Sequence, residues 1–178
     1  FHYDDFHSLV NNPHIRTLDN LPAFFADPRL FSLDENQAMY RPVLLTTYAL
    51  NYALAGGAPQ GFHLVNILLH AANVVLLLYL ALTLGFAPFA AWTAAMVFAF
   101  HPIAVETVHY VSSRSESLMA FGLLASVWCY MRWLLEKRWL FYMLSLLAFV
   151  VALLSKSVGI VLLLLLPLCD WLQMGWSG

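Results

Sequence analysis

From residue 62 onward, apolar and polar positions separate into long apolar blocks cut by short polar breaks. Blocks at 62–84, 86–105, 117–135, 139–154 and 158–172 predict five transmembrane helices, because about 17–25 apolar residues are needed to cross a hydrocarbon core about 30 Å thick. The second block is apolar only to residue 100 and needs the following HPIAV to cross comfortably. Trp133, Trp139, Trp171 and Trp176 stand near block ends, where interfacial aromatic belts form.

Residues 1–61 read differently, as a polar loop carrying two juxtamembrane helices. NLPAFFADP predicts a short helix with Asn20 as N-cap and Pro22 in its first turn. RPVLLTTYALNYALAGG predicts a longer one, opened by Pro42 and stopped by Gly56-Gly57. From 42 to 55 it rises only about 21 Å, too short to cross. Thr47 and Asn51 form a narrow polar stripe on it, which suits a helix lying along the membrane surface.

Composition sharpens the class. The 178 residues are 62% hydrophobic and 10% charged, far from the roughly 25% charged residues of soluble domains, so the fold class is an all-α polytopic membrane protein. With a net charge of −2 and no basic run, nucleic acid is excluded as a partner. Cys129 and Cys169 lie inside apolar blocks without ligand spacing and read as buried thiols. Crossing parity puts 1–61, 101–116 and the SKS around Lys156 on one side of the membrane. That side then holds eight of the ten carboxylates. Arg132, Lys137 and Arg138 mark the opposite side as cytoplasmic, which makes the carboxylate-rich face extracytoplasmic. Asp170 falls on the cytoplasmic side, with a structural role.

Three sets of residues could carry chemistry. Asp4-Asp5 are adjacent carboxylates, suited to general-base work or to a solvated helix start. HPIAVETVHYVSSRSES interrupts the apolar pattern and contains His101, Glu106, His109 and Arg114. A guanidinium at the interface can grip phosphate through two parallel hydrogen bonds, while Ser113-x-x-Glu116 reads as a capping box. His109 has no evident role. On the first span, His63, Asn66, His70 and Asn73 recur at three- and four-residue steps, a polar stripe that either bonds to neighbouring helices or lines a site. Lys156 is a lone cation flanked by serines, able to snorkel to the surface or to bind an anionic headgroup. No His/carboxylate pair shows metal-ligand spacing, and a need for a divalent metal stays open.

Taken in order, YDDFHSLVNNPHI, YRPVLLTTYALNYALAGGAPQGFHLVNILLH, FHPIAVETVHYVSSRSESL and SKSVGIVLLLLLPLCDW resemble the membrane half of the transmembrane and tetratricopeptide-repeat (TMTC-like) proteins, in the manner of a bacterial relative. Those proteins are glycosyltransferases of the GT-C fold. The resemblance implies a GT-C-like helical bundle, a membrane helix before Phe1, and further spans and tetratricopeptide repeats after Gly178. It makes 1–61 the first extracytoplasmic loop and 62–178 the bundle. It also implies transfer of mannose from a polyprenyl-phosphate donor to a protein hydroxyl with inversion, at a bacterial inner membrane or the endoplasmic reticulum. The expected partners are membrane lipid, the lipid-phosphate sugar donor and a protein acceptor. Asp4 and Asp5 would be the catalytic pair, with Asp4 as base. Arg114, Lys156 and His101 would hold the donor phosphate, and Glu106, His63, His70 and Arg41 would line the pocket. A membrane scaffold displaying repeats to partners is the competing expectation, and a transporter with midplane polar groups a third.

Overall fold

The computed structural model describes residues 5–33 and 38–176, and over these the chain is helical without strands. It opens with short turns: Phe6–Val10, Pro13–Arg16, Leu18–Asn20, Leu21–Phe24 and Pro28–Phe31. Local chemistry starts several of them. Asn12 and Asp27 each precede a proline at the first helical position, and each side chain accepts a backbone N–H two residues on. The buried Asn12 amide also donates to the Ser8, Leu30 and Phe31 carbonyls, tying both ends of the segment together. The first juxtamembrane helix is a single turn, Leu21–Phe24. Asn20 sits at its N-cap as expected, but its amide donates to the His14 carbonyl rather than capping.

Seven helices follow: α1 (Pro42–Ala55), α2 (Pro59–Thr83), α3 (Pro88–Phe100), α4 (Pro102–His109), α5 (Arg114–Glu136), α6 (Trp139–Ser155) and α7 (Leu162–Trp176), the last entered through a 3-10 turn at Ser157–Val161. Helices α2 and α5 are each long and apolar enough to cross a membrane. Helices α3 and α4 qualify only as a pair, bent by 49° at His101-Pro102. Pro102 has no N–H to continue the α3 ladder and forces His101 into extended backbone, so the block predicted at 86–105 is broken where HPIAV begins. Apolar helices Trp139–Ser155 and Ser157–Trp171 are shorter. Outward-facing Leu64, Ile67 and Leu68 on α2 and Leu163 and Leu164 on α7 remain exposed, a surface suited to lipid rather than water.

Two apolar clusters hold the bundle. One packs Leu9, Ile15, Phe24 and Phe31 of the opening segment against Leu44, Leu45 and Tyr48 of α1, with Phe62 and Val111. The other joins α2, α5, α6 and α7 through Leu80, Val127, Met131, Ala152 and Leu162. Between α5 and α6 the approach is tight at Gly122, where a Cβ would stand 2.7 Å from the Ala148 carbonyl oxygen and 2.8 Å from the Ala152 nitrogen. Both obstacles are backbone, so neither can rotate away. Gly122→Ala should therefore cost about 1–3 kcal/mol of overpacking, against the roughly 1 kcal/mol that alanine normally gains over glycine in a helix. A thermal melt in detergent checks the sign: an unchanged or raised midpoint would mean that the helices part easily.

Candidate functional site

The opening segment, the turn between α4 and α5, and the junction after α6 meet at one end of the bundle. Asp5, fully buried, accepts the Ser112 N–H on Oδ1 at 2.8 Å. Arg41 donates to the Ser115 hydroxyl at 3.1 Å, and Lys156 donates to Glu116 Oε1 at 2.9 Å. Residues separated by up to 107 positions are thereby fixed around the first turn of α5. Arg132, Glu136 and Arg138 lie at the other end of this 23-residue helix, about 34 Å away at 1.5 Å per residue.

These contacts frame an open polar cleft of about 510 Å³. It is lined by Arg41 and Tyr48, by Glu106 of α4 and Tyr110 just after it, and by Ser115, Glu116 and Lys156. Arg41 stacks on the Phe31 ring with its guanidinium carbon 5.6 Å from the centroid. Burial pulls its pKa below the usual arginine value, with Tyr48 and Glu116 opposing, and it stays a cation at physiological pH. Burial pushes the Tyr48 phenol up, so it remains a neutral donor to the Val111 carbonyl at 3.0 Å. An apolar groove of about 640 Å³ adjoins the cleft, lined by Val97 and Phe98 of α3, Ile103 of α4 and Met119 of α5. Glu116 borders both spaces.

Several residues singled out in the sequence have other surroundings. Arg114 is fully buried and does not line the cleft. Its Nε donates to Asn66 Oδ1 at 2.7 Å, and one Nη donates to Asn51 Oδ1 at 3.0 Å and to the Phe62 carbonyl at 2.9 Å. The guanidinium lies between the Tyr48 and Phe62 rings, 4.9 and 5.5 Å from their centroids. Among the described residues no carboxylate pairs with it; neutral acceptors from α1 and α2 and two aromatic faces compensate its charge. Asn51, read as part of a polar stripe on a surface-lying helix, thus faces inward.

His101 lines the groove, and its Nδ1 accepts the Ile103 N–H at the start of α4. Nor does the capping box form: Ser113 sits at the N-cap of α5 without a side-chain bond, because the upstream turn already supplies carbonyls to the Ser113 and Arg114 N–H groups and Glu116 turns to Lys156.

The stripe on α2 is spent on other helices. His63 meets the Val108 carbonyl at 3.3 Å and borders neither space, while His70, on the groove, meets the Ala99 carbonyl at 3.1 Å. Asn66 bonds the carbonyls of Thr107 and Tyr110, and Asn73 that of Ser117. Asp170 accepts the Tyr130 hydroxyl at 2.8 Å, and both cysteines are buried free thiols. Among the described residues no three histidine, cysteine or acidic side chains are placed to hold a metal ion. Asp4 lies outside the described residues.

The elements and the site define an all-helical membrane protein with a charged cleft beside an apolar groove. Comparison narrows it: residues 27–177 match the family described as dolichyl-phosphate-mannose-protein mannosyltransferase, and the chain belongs to that family. It is 32% identical over 178 residues to protein O-mannosyl-transferase Tmtc1 of Drosophila melanogaster, covering 97% of this chain and 20% of the relative. To protein O-mannosyl-transferase TMTC4 of Homo sapiens it is 33% identical, over 98% of this chain and 27% of the relative. Against protein O-mannosyl-transferase F38B6.6 of Caenorhabditis elegans the identity is 35% over 71% of this chain and 19% of the relative. The chain therefore spans about a fifth to a quarter of the length of these relatives. No solved structure matches it.

Proposed function

We propose that this chain is part of an integral-membrane mannosyltransferase that moves mannose from a polyprenyl-phosphate donor to a protein hydroxyl on the extracytoplasmic face. What carries this reading is the juxtaposition of the cation-bearing cleft with the apolar groove. A lipid-linked sugar phosphate needs such a pair of spaces, since its isoprenoid chain stays in an apolar medium while its phosphate meets cations at the surface. The mannosyltransferase family and the O-mannosyl-transferase relatives point the same way.

Asp4 takes the proton of the acceptor hydroxyl, whose oxygen forms a bond to the anomeric carbon as the bond from that carbon to the phosphate oxygen breaks. The configuration inverts, and polyprenyl phosphate leaves with the electron pair. Arg41 and Lys156 stabilise the charge that develops on the leaving phosphate. Arg114 is a positioning residue that holds the start of α5 against α1 and α2. Glu106 lines the sugar side of the cleft, and His101 borders the isoprenoid chain.

The test is transfer from radiolabelled polyprenyl-phosphate mannose to candidate acceptor proteins by the intact protein in lipid nanodiscs. Lys156→Gln and Arg41→Gln should each lower turnover by about 10²-fold, the scale of losing one charge-stabilising donor. Unchanged turnover in both variants would remove the cleft from the reaction.

A further inference from the structure

Glu116 has a place in this arrangement that neither capping nor phosphate binding explains. Its carboxylate stands on the wall shared by cleft and groove and holds Lys156 at 2.9 Å, linking the first turn of α5 to the junction after α6. Among the described residues the charged side chains bordering the cleft are Arg41 and Lys156 against Glu106 and Glu116. A sugar phosphodiester brings one negative charge into it, and the released phosphomonoester carries up to two. While Glu116 holds Lys156, an incoming phosphate meets a half-neutralised cation. The pair is not sealed: the Glu116 side chain is 50% exposed and that of Lys156 26%. Ion pairs that exposed are weak enough to exchange partners.

We propose that Glu116 is a displaceable counter-ion: in the empty cleft it occupies the position on Lys156 that the donor phosphate takes, and after transfer it competes for the lysine and helps expel polyprenyl phosphate. This rests on the reading of the cleft given under Proposed function. Glu116 is a positioning residue here, acting through Lys156. Removing its charge should tighten the grip on the lipid phosphate and slow its release. KM for the donor and kcat should fall together, whereas a structural defect would weaken binding.

The experiment measures the affinity of farnesyl phosphate, a short polyprenyl phosphate, for the intact protein in phosphatidylcholine nanodiscs. Glu116→Gln should bind it about three- to ten-fold tighter, the scale expected for a partly exposed charge pair and its loss. Glu116→Asp, which keeps the charge, should stay near wild type. Lys156→Gln should bind more weakly, and adding Glu116→Gln to it should change nothing further. Melting curves of each variant confirm folding, and the aspartate variant keeps the comparison open if the glutamine one is unstable. Tightening that persists without Lys156, or none at all in Glu116→Gln while wild type binds through Lys156, overturns the counter-ion role alone. Should wild type and Lys156→Gln fail equally to bind farnesyl phosphate, the donor-phosphate reading of the cleft falls, and this proposal with it.

Discussion

Arg114→Leu is expected to abolish folding of the bundle's cleft end, although no ion pair among the described residues is broken. The leucine would fill part of the volume but leave Asn66 Oδ1, Asn51 Oδ1 and the Phe62 carbonyl facing an apolar side chain. Each unsatisfied buried polar group costs about 1–3 kcal/mol, so the two side-chain acceptors alone imply a loss of about 2–6 kcal/mol, a large share of a typical domain's stability. Arg114→Lys should recover little, because a single ammonium cannot span acceptors on two helices as the planar fork does. Combining Arg114→Leu with Asn51→Leu and Asn66→Leu removes the two side-chain acceptors as well and should restore part of the folded yield. Size-exclusion profiles and melts of the four proteins in detergent check this ordering. A monodisperse Arg114→Leu protein with a wild-type melt would show that α1 and α2 do not depend on the arginine.

Why Arg114 escaped the sequence is a matter of destinations. Its position, between a polar turn and a long apolar run, is legible, and so is the chemistry of a guanidinium. Whether that guanidinium faces a phosphate or a buried nest of acceptors depends on Asn51 and Asn66, respectively 63 and 48 residues earlier. Spacing along one segment carries no information about such a meeting. The same limit applies to the α2 stripe. Its four-residue rhythm marks one polar face, but the groups it meets include main-chain carbonyls of Ala99, Thr107, Val108 and Ser117, which have no signature in residue type.

What is local reads well. Hydrophobic length finds α2 and α5, and Pro42 and Gly56 bound α1, whereas the bend at His101-Pro102 breaks a block read as one span. The segments that crossing parity groups on one side meet at the cleft. The ion pair of Lys156 with Glu116 joins two residues that each have a plausible local role, as snorkel and as cap. Local plausibility is what hides it.

Asp4→Asn should cost about 10²–10⁴ in transfer rate, the usual loss for a positioned acid–base group, while farnesyl phosphate still binds with wild-type affinity. Asp5 is expected to behave differently despite being its neighbour. It is sealed from solvent and already accepts the Ser112 N–H, so it is poorly placed to receive a proton from an incoming acceptor. Asp5→Asn keeps an acceptor oxygen for that N–H and should retain most of the fold and a substantial fraction of the rate. Asp5→Ala removes the acceptor and should cost about 1–3 kcal/mol of stability, read as a lowered melt before any kinetic effect. The diagnostic comparison is therefore Asp4→Asn with Asp5→Asn in one transfer assay, both normalised to folded protein. If Asp5→Asn lost transfer and Asp4→Asn kept it, the proton would have to reach the buried carboxylate. The Ser112 contact would then have to open during turnover, and the α4–α5 turn would be a moving part of the enzyme.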